Sequence, residues 1–204
     1  IHIKKSLKET IQTSKKGIFY TLNNKTILLL SIIMTLLTFS ITLAFNSYQP
    51  YVIQVGLQPE YLGFALSIAG FLSIFTLNYS HKITKFMGNN KKSLIFFTIL
   101  FGLAITCIGF IQYLPLLFIS LISYTMLYEF SSSTSPAYRD LFNKNTPSKI
   151  RATVLSVSSL YTKVGEILAL LAFGLISTYI NLQFGILLSG ILIIITAFLY
   201  LRLK

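Results

Sequence analysis

Charge is scarce in this chain of 204 residues. Only 11% of them are Asp, Glu, Lys or Arg, against about 25% in an ordinary soluble domain. With 54% of the residues hydrophobic, too little polar surface exists to cover a globule, which excludes a soluble enzyme. Acid is the scarcest class: five Asp and Glu stand against 17 Lys and Arg, a formal charge of +12. On a soluble protein that imbalance points to nucleic acid. Here no polar face is left to carry such a patch, so no nucleic-acid partner is expected. Asp140 is the only aspartate, so no aspartate dyad is possible. Cys107 is the only cysteine and lies in an apolar run, which excludes a disulfide framework and a thiolate metal site. His2 and His81 fall in no metal-ligand spacing. Walker A, G-x-S-x-G and Gly-rich dinucleotide motifs are absent. No metal, cofactor or enzyme activity is expected. The first 25 residues lack the apolar core of a signal peptide. The chain opens on Ile rather than Met, which reads as a piece of a longer protein.

What is present is long apolar sequence, and a helical bilayer crossing needs about 20 such residues. Residues 26–49 and 62–79 are two clear spans, the first ending at Pro50 and the second at His81-Lys82. The uncharged stretch from Ser93 to Tyr128 is 36 residues long, too long for one crossing and too short for two. A turn at Gln112-Tyr113-Leu114-Pro115 divides it. This gives spans at 93–112 and 115–137, the second carrying Glu129 into the membrane. A turn at Tyr179-Ile180-Asn181 divides the last apolar stretch in the same way. It gives spans at 152–178 and 182–201, the former containing Lys163 and Glu166. The expectation is an all-α membrane protein with six transmembrane helices at 26–204.

Basic residues test that count. With six spans, 16 of the 17 fall on one side, and the last, Lys163, lies within the membrane. Both termini are therefore expected to be cytoplasmic, in a multi-pass protein of the plasma membrane. Residues 1–25 read as a basic cytoplasmic linker. Ile3, Leu7 and Ile11 recur at helical spacing among Lys4, Lys5, Lys8 and Lys15. That suits a short amphipathic helix on the inner membrane surface, and equally a solvated basic linker.

Glu129, Lys163 and Glu166 are the candidates for chemistry. A charge at the bilayer centre costs about 2.5–3.5 kcal/mol on insertion scales, so these should face protein or water. A helical rise of about 1.5 Å per residue puts Glu129 roughly 15 Å, and Lys163 roughly 18 Å, from the inner face. The two are then nearly level, and Glu166 follows Lys163 at i, i+3. One lysine between two carboxylates suits a proton-coupled carrier; a static ion pair is the alternative. Tyr48, Gln49, Asn78 and Tyr79 are candidates for lining a substrate path, with interfacial anchoring as the alternative for the tyrosines. Arg139, Asp140 and Arg151 form a candidate inner-gate charge cluster or plain surface charges at helix ends. Ser131 to Ser135 could line a water-filled cavity or bond back to their own helix. Gly63, Ser67 and Gly70, and likewise Gly165, Ala169 and Ala172, are expected to let helices approach closely.

The segment Asn143-Lys-Asn-Thr-Pro-Ser-Lys-Ile-Arg151-Ala-Thr-Val-Leu-Ser156 resembles the loop and opening of the penultimate helix of Major Facilitator Superfamily transporters. Ser80-His-Lys-Ile-Thr-Lys85-Phe-Met-Gly88-Asn-Asn-Lys91-Lys92 resembles that family's repeated cytoplasmic loop motif, with Lys85, Gly88 and Lys91 as the matching residues. Thr84 stands where the family often has an acid, and the Gly is shifted by one. Asn46-Ser-Tyr48-Gln49-Pro50-Tyr51 is similar to the end of the family's seventh helix. The resemblance covers the whole chain as helices seven to twelve, half of a twelve-helix fold. It implies alternating access, with a small-molecule substrate bound between this half and an N-terminal six-helix half. It also implies that spans one, two, four and five line the cavity or the domain interface, while spans three and six face lipid. Efflux of amphipathic compounds is the expected direction. A truncated fragment without transport, or a separately encoded half needing its partner, is the competing expectation. An intramembrane enzyme is disfavoured, because the spans lack the residues for one.

Overall fold

Apolar composition and short polar turns produce antiparallel helices, because in lipid each backbone amide must be satisfied within its own segment. The computed structural model describes residues 2–131 and 136–203, with side chains at 12, 14–75, 78, 79, 82, 84–124, 127, 128 and 137–203. Eight α-helices occur among the described residues: α1 (His2–Asn23), α2 (Lys25–Gln54), α3 (Pro59–Phe86), α4 (Asn90–Phe110), α5 (Leu114–Ser131), α6 (Pro136–Lys144), α7 (Arg151–Tyr179) and α8 (Leu182–Leu199). Single 3-10 turns at Ser148–Ile150 and Tyr200–Arg202 flank α7 and end α8. Among the described residues, four helices are long and apolar enough to cross a membrane: α2, α4, α7 and α8. The apolar parts of α3 and α5, Pro59–Phe75 and Leu114–Tyr124, are shorter.

Several boundaries differ from the sequence expectation. α2 runs through Pro50 to Gln54. Proline removes one backbone donor, and the turn beyond it is kept because Tyr51 and Val52 are buried. The Tyr51 hydroxyl also donates to the Gly109 carbonyl at 3.3 Å. α3 begins earlier, with Pro59 and Glu60 in its first turn, where a fixed φ and a negative charge both suit a helix start. It continues past His81-Lys82 to Phe86 and stops at Gly88, whose φ of 74° is the left-handed conformation that ends helices. The loop to α4 is thus only residues 87–89. The fourth span was expected as one helix over 115–137. Helix is described to Ser131 and again from Pro136, and residues 132–135 lie outside the described ones.

Packing is asymmetric. The most extensive contacts join α4 to α8, α2 to α7, α2 to α8 and α3 to α5, which orders the helices α7–α2–α8–α4–α5–α3. Lipid tails are as apolar as leucine, so association depends on close packing and hydrogen bonds. The α4–α8 crossing has glycine on both sides: a Cβ on Gly102 would lie 2.9 Å from the Gly190 carbonyl. Gly165 does the same for α7 on α2, where a Cβ would meet the Thr35 carbonyl at 2.6 Å. Gly63 and Gly70 do not: nothing lies within 4 Å of a Cβ built at either. α3 packs instead through Ala65 and Ala69, both buried, four apart on another side of the helix.

Candidate functional site

The site is built on α7. Few of its 29 residues are buried: Val154, Val157, Ser158, Gly165, Ala169 and Ile176. These turn mainly to α2, and most of the other side of this membrane-length helix is exposed among the described residues. The uncovered side carries charge. Lys163 Nζ donates to both carboxylate oxygens of Glu166, at 2.7 and 2.9 Å. The two side chains are 67% and 36% exposed, so the pair is not a buried brace among the described residues. By helical rise Lys163 lies about 18 Å along α7 from Arg151.

Toward the Arg151 end of α7 lies a cleft of about 390 Å³ between α2, α6 and α7. Its wall includes Met34, Tyr138, Arg139, Asn143, Ser158 and Thr162. α7 contributes Leu155, Ser159 and Thr162 to it, and Glu166 continues that row at i+4 from Thr162. Glu166 therefore lies one helical turn beyond Thr162, on the same side of α7 as the cleft lining. The α7 hydroxyls are satisfied locally: Ser159 donates to the Leu155 carbonyl at 3.0 Å and Thr162 to that of Ser159 at 2.8 Å. Their oxygens keep lone pairs for a ligand or water. A cavity of this size suits a small molecule.

The remaining expected residues separate into distinct places. Glu129 lies on α5, and its side chain is outside the described residues. Tyr48 is buried in an aromatic cluster, 5.3 Å from Tyr124, which stacks on Phe101 at 5.7 Å. That cluster joins α2, α5 and α4. Gln49 is half-buried beside it, while Asn78 and Tyr79 are exposed on α3. Lys82 Nζ lies 5.1 Å from the Tyr79 ring, a cation–π arrangement. The three inner-end charges do not pair with one another. Asp140 pairs with Lys144 at 2.7 Å and accepts from the Asn90 amide. Arg151 donates to the carbonyls of Asn143 and Thr146 at 3.3 and 3.2 Å. Arg139 is exposed on the cleft. In the loop motif, Lys85 is exposed, Gly88 supplies the turn, and Lys91 Nζ donates to the carbonyls of Leu201 and Leu203. Most of Ser131 to Ser135 lies outside the described residues.

Sequence reasoning missed the cleft. Its signal was present: Leu155, Ser158, Ser159 and Thr162 are spaced for one face of a helix, and Arg139 and Asn143 are an i, i+4 pair. No group of three or more His, Cys, Asp or Glu among the described residues is placed to hold a metal ion. Against known proteins, the family model described as Major Facilitator Superfamily matches residues 6–204. No curated protein matches, and neither does any solved structure.

Proposed function

The chain belongs to the Major Facilitator Superfamily, a family of secondary transporters rather than enzymes, and we propose that it is one six-helix half of an alternating-access, proton-coupled carrier of small molecules. The observation that carries this reading is the exposed Lys163–Glu166 pair. At mid-membrane depth such a pair must meet water or protein rather than lipid. The uncovered sides of α7 and α3 are then the surfaces that receive the N-terminal half, including the open ground around Gly63 and Gly70. The cleft below the pair is the inner mouth of the substrate path. α4 and α8, packed most closely on each other, would face lipid. Both ends of the chain lie on the cytoplasmic side of the cell membrane, and transport runs outward.

Coupling follows from competition for one lysine. A conformational change or a substrate that draws Lys163 toward Glu129 leaves Glu166 without its cation, and Glu166 is then the carboxylate that carries the coupling proton. Restoring the pair returns the proton, on the side to which the cavity is then open.

The test uses the carrier assembled from both halves in liposomes, with a panel of amphipathic dyes. Glu166→Gln paired with Lys163→Met is expected to fold and to retain downhill exchange, yet to lose accumulation driven by a pH gradient. Full proton-driven accumulation by that double variant would overturn the coupling role. The 204-residue chain alone is expected to give no flux. Topology is checked separately in a Cys107→Ala background. Cysteine at Gln58 should react with an impermeant external thiol reagent, and cysteine at Lys92 should not; reaction at Lys92 would refute the orientation.

A further inference from the structure

Helix α1 is held against the inner end of α7 by one face only. A Cβ on Gly17 would lie 2.5 Å from Thr153 Cγ2 and 3.3 Å from Val157 Cγ2, so this contact requires glycine. Thr21 is buried and donates to the Gly17 carbonyl at 2.9 Å. The Tyr20 hydroxyl donates to the Asn145 carbonyl at 3.0 Å and accepts from Asn24 Nδ2. Gly17, Tyr20, Thr21 and Asn24 are one helical row. Asn24 then takes an extended backbone and caps α2, its side chain accepting from the amides of Thr26 and Ile27. The bend at Asn24 keeps α1 from continuing α2. Thr153 and Val157 belong to the first two turns of α7, so α1 lies where the inner membrane surface must be.

The opposite side of α1 has no partner of comparable extent. Ile18, Phe19 and Leu22 are exposed, Phe19 to 71%, and Lys15 and Lys16 are exposed beside them. α1 therefore has a docking row on one side and, away from it, exposed apolar side chains with Lys15 and Lys16 among them.

We propose that the outward side of α1 binds the surface of a bilayer containing anionic headgroups. Ile18, Phe19 and Leu22 enter the boundary between headgroups and acyl chains, and Lys15 and Lys16 meet the headgroup charge. Charge complementarity selects this occupant: Lys15 and Lys16 are exposed beside the apolar side chains, on a helix whose sequence carries five lysines and one glutamate. The Gly17 contact clamps that surface to α7. The proposal requires only that the chain sits in a membrane; it stands or falls apart from proton coupling.

The chain contains no tryptophan, so Phe19→Trp makes α1 report alone. The variant is reconstituted as the full chain in phosphatidylcholine vesicles, with and without phosphatidylserine. Acyl chains brominated near the headgroup are expected to quench Trp fluorescence strongly with phosphatidylserine present, and aqueous iodide to quench it weakly. Lys15→Gln with Lys16→Gln should shift the ratio of docked to undocked helix by about 25-fold, from roughly fivefold for each lysine near an anionic surface. Raised salt should act in the same direction. Both substitutions lie on exposed side chains, and an unchanged melting temperature verifies the fold. Three results would overturn the proposal. Strong iodide quenching in every vesicle marks a solvated linker. Protection from both quenchers marks a face covered by protein. Bromine quenching indifferent to phosphatidylserine, salt and the lysines marks apolar insertion without headgroup recognition.

Discussion

α8 and α7 are adjacent in sequence, both long enough to cross a membrane and opposite in use. α8 is the more apolar of the two and is covered on two sides, by α4 and α2. Its seam is a run of small residues, Gly185, Ser189 and Gly190, all buried. α7 has glycine at its own seam with α2 and then carries Lys163 and Glu166 on a side that no described residue covers. The same chain thus has a face finished by its own packing and a face left for something else. Small residues mark the first and charged residues the second. A small residue without a neighbour belongs with the second.

The sharpest way to break this comparison is to put the same bulk on both faces. Gly190→Leu forces a side chain into Thr106 and the Gly102 carbonyl. Because the obstacle is partly backbone, the cost is expected at the upper end of overpacking, about 3 kcal/mol. The yield of folded protein and its melting temperature in detergent should both fall. Gly63→Leu meets nothing within 4 Å, and its helix propensity contributes up to about 1 kcal/mol in favour. The isolated chain should be as stable or more so, while transport by the assembled carrier falls. Equal destabilisation by the two variants would show that α3 is not an open surface.

Much of this was legible beforehand, and the limits have physical causes. Helix positions followed from apolar run length and from breaks at Pro and Asn. The start of α7 at Arg151 and the placement of Lys163 and Glu166 within it came from length alone. End positions erred where tertiary contacts overrode local signals. Pro50 stays within α2 because the turn after it is buried, and α3 outruns its apolar segment to Gly88. Among small residues, composition picked Gly63 and Gly70 where α3 uses Ala65 and Ala69, since spacing alone cannot say which side of a helix meets a neighbour. The cleft went unread for a related reason. It needs α6 and α7 at a known rotation, and serines on a helix look the same whether they line a cavity or bond to their own carbonyls.

The ties at the inner rim give a smaller effect. Lys91 Nζ reaches the carbonyls of Leu201 and Leu203, backbone acceptors left over where α8 and its closing turn end. This fastens the start of α4 to the end of α8 on the finished side. Lys91→Met removes a charge-assisted hydrogen bond at a half-exposed site, and the loss is expected at about 1.5 kcal/mol. Faster proteolysis of the last few residues, with little change in transport, is the expected readout. An unchanged cleavage rate would show that the contact does not hold the terminus.

The smallest effect expected is at Asp140, whose carboxylate serves two partners of different kinds. Lys144, at i+4 on the same helix, is 2.7 Å away, with side-chain exposures of 70% and 41% for Lys144 and Asp140. A pair so exposed is screened by water and salt, and acid-before-base order at i, i+4 contributes about 0.3–0.5 kcal/mol. Asn90 donates to the same carboxylate from α4, and that contact joins two helices. Lys144→Gln should therefore cost about 0.5 kcal/mol at low salt and almost nothing at high salt. Asp140→Asn removes the cross-helix acceptor charge as well and should cost about 1 kcal/mol, with a residue of that cost surviving in salt. Melting temperatures of the two variants across a salt series separate these terms. If the curves for Lys144→Gln and Asp140→Asn coincide at high salt, the α4–α6 contact through Asn90 contributes nothing.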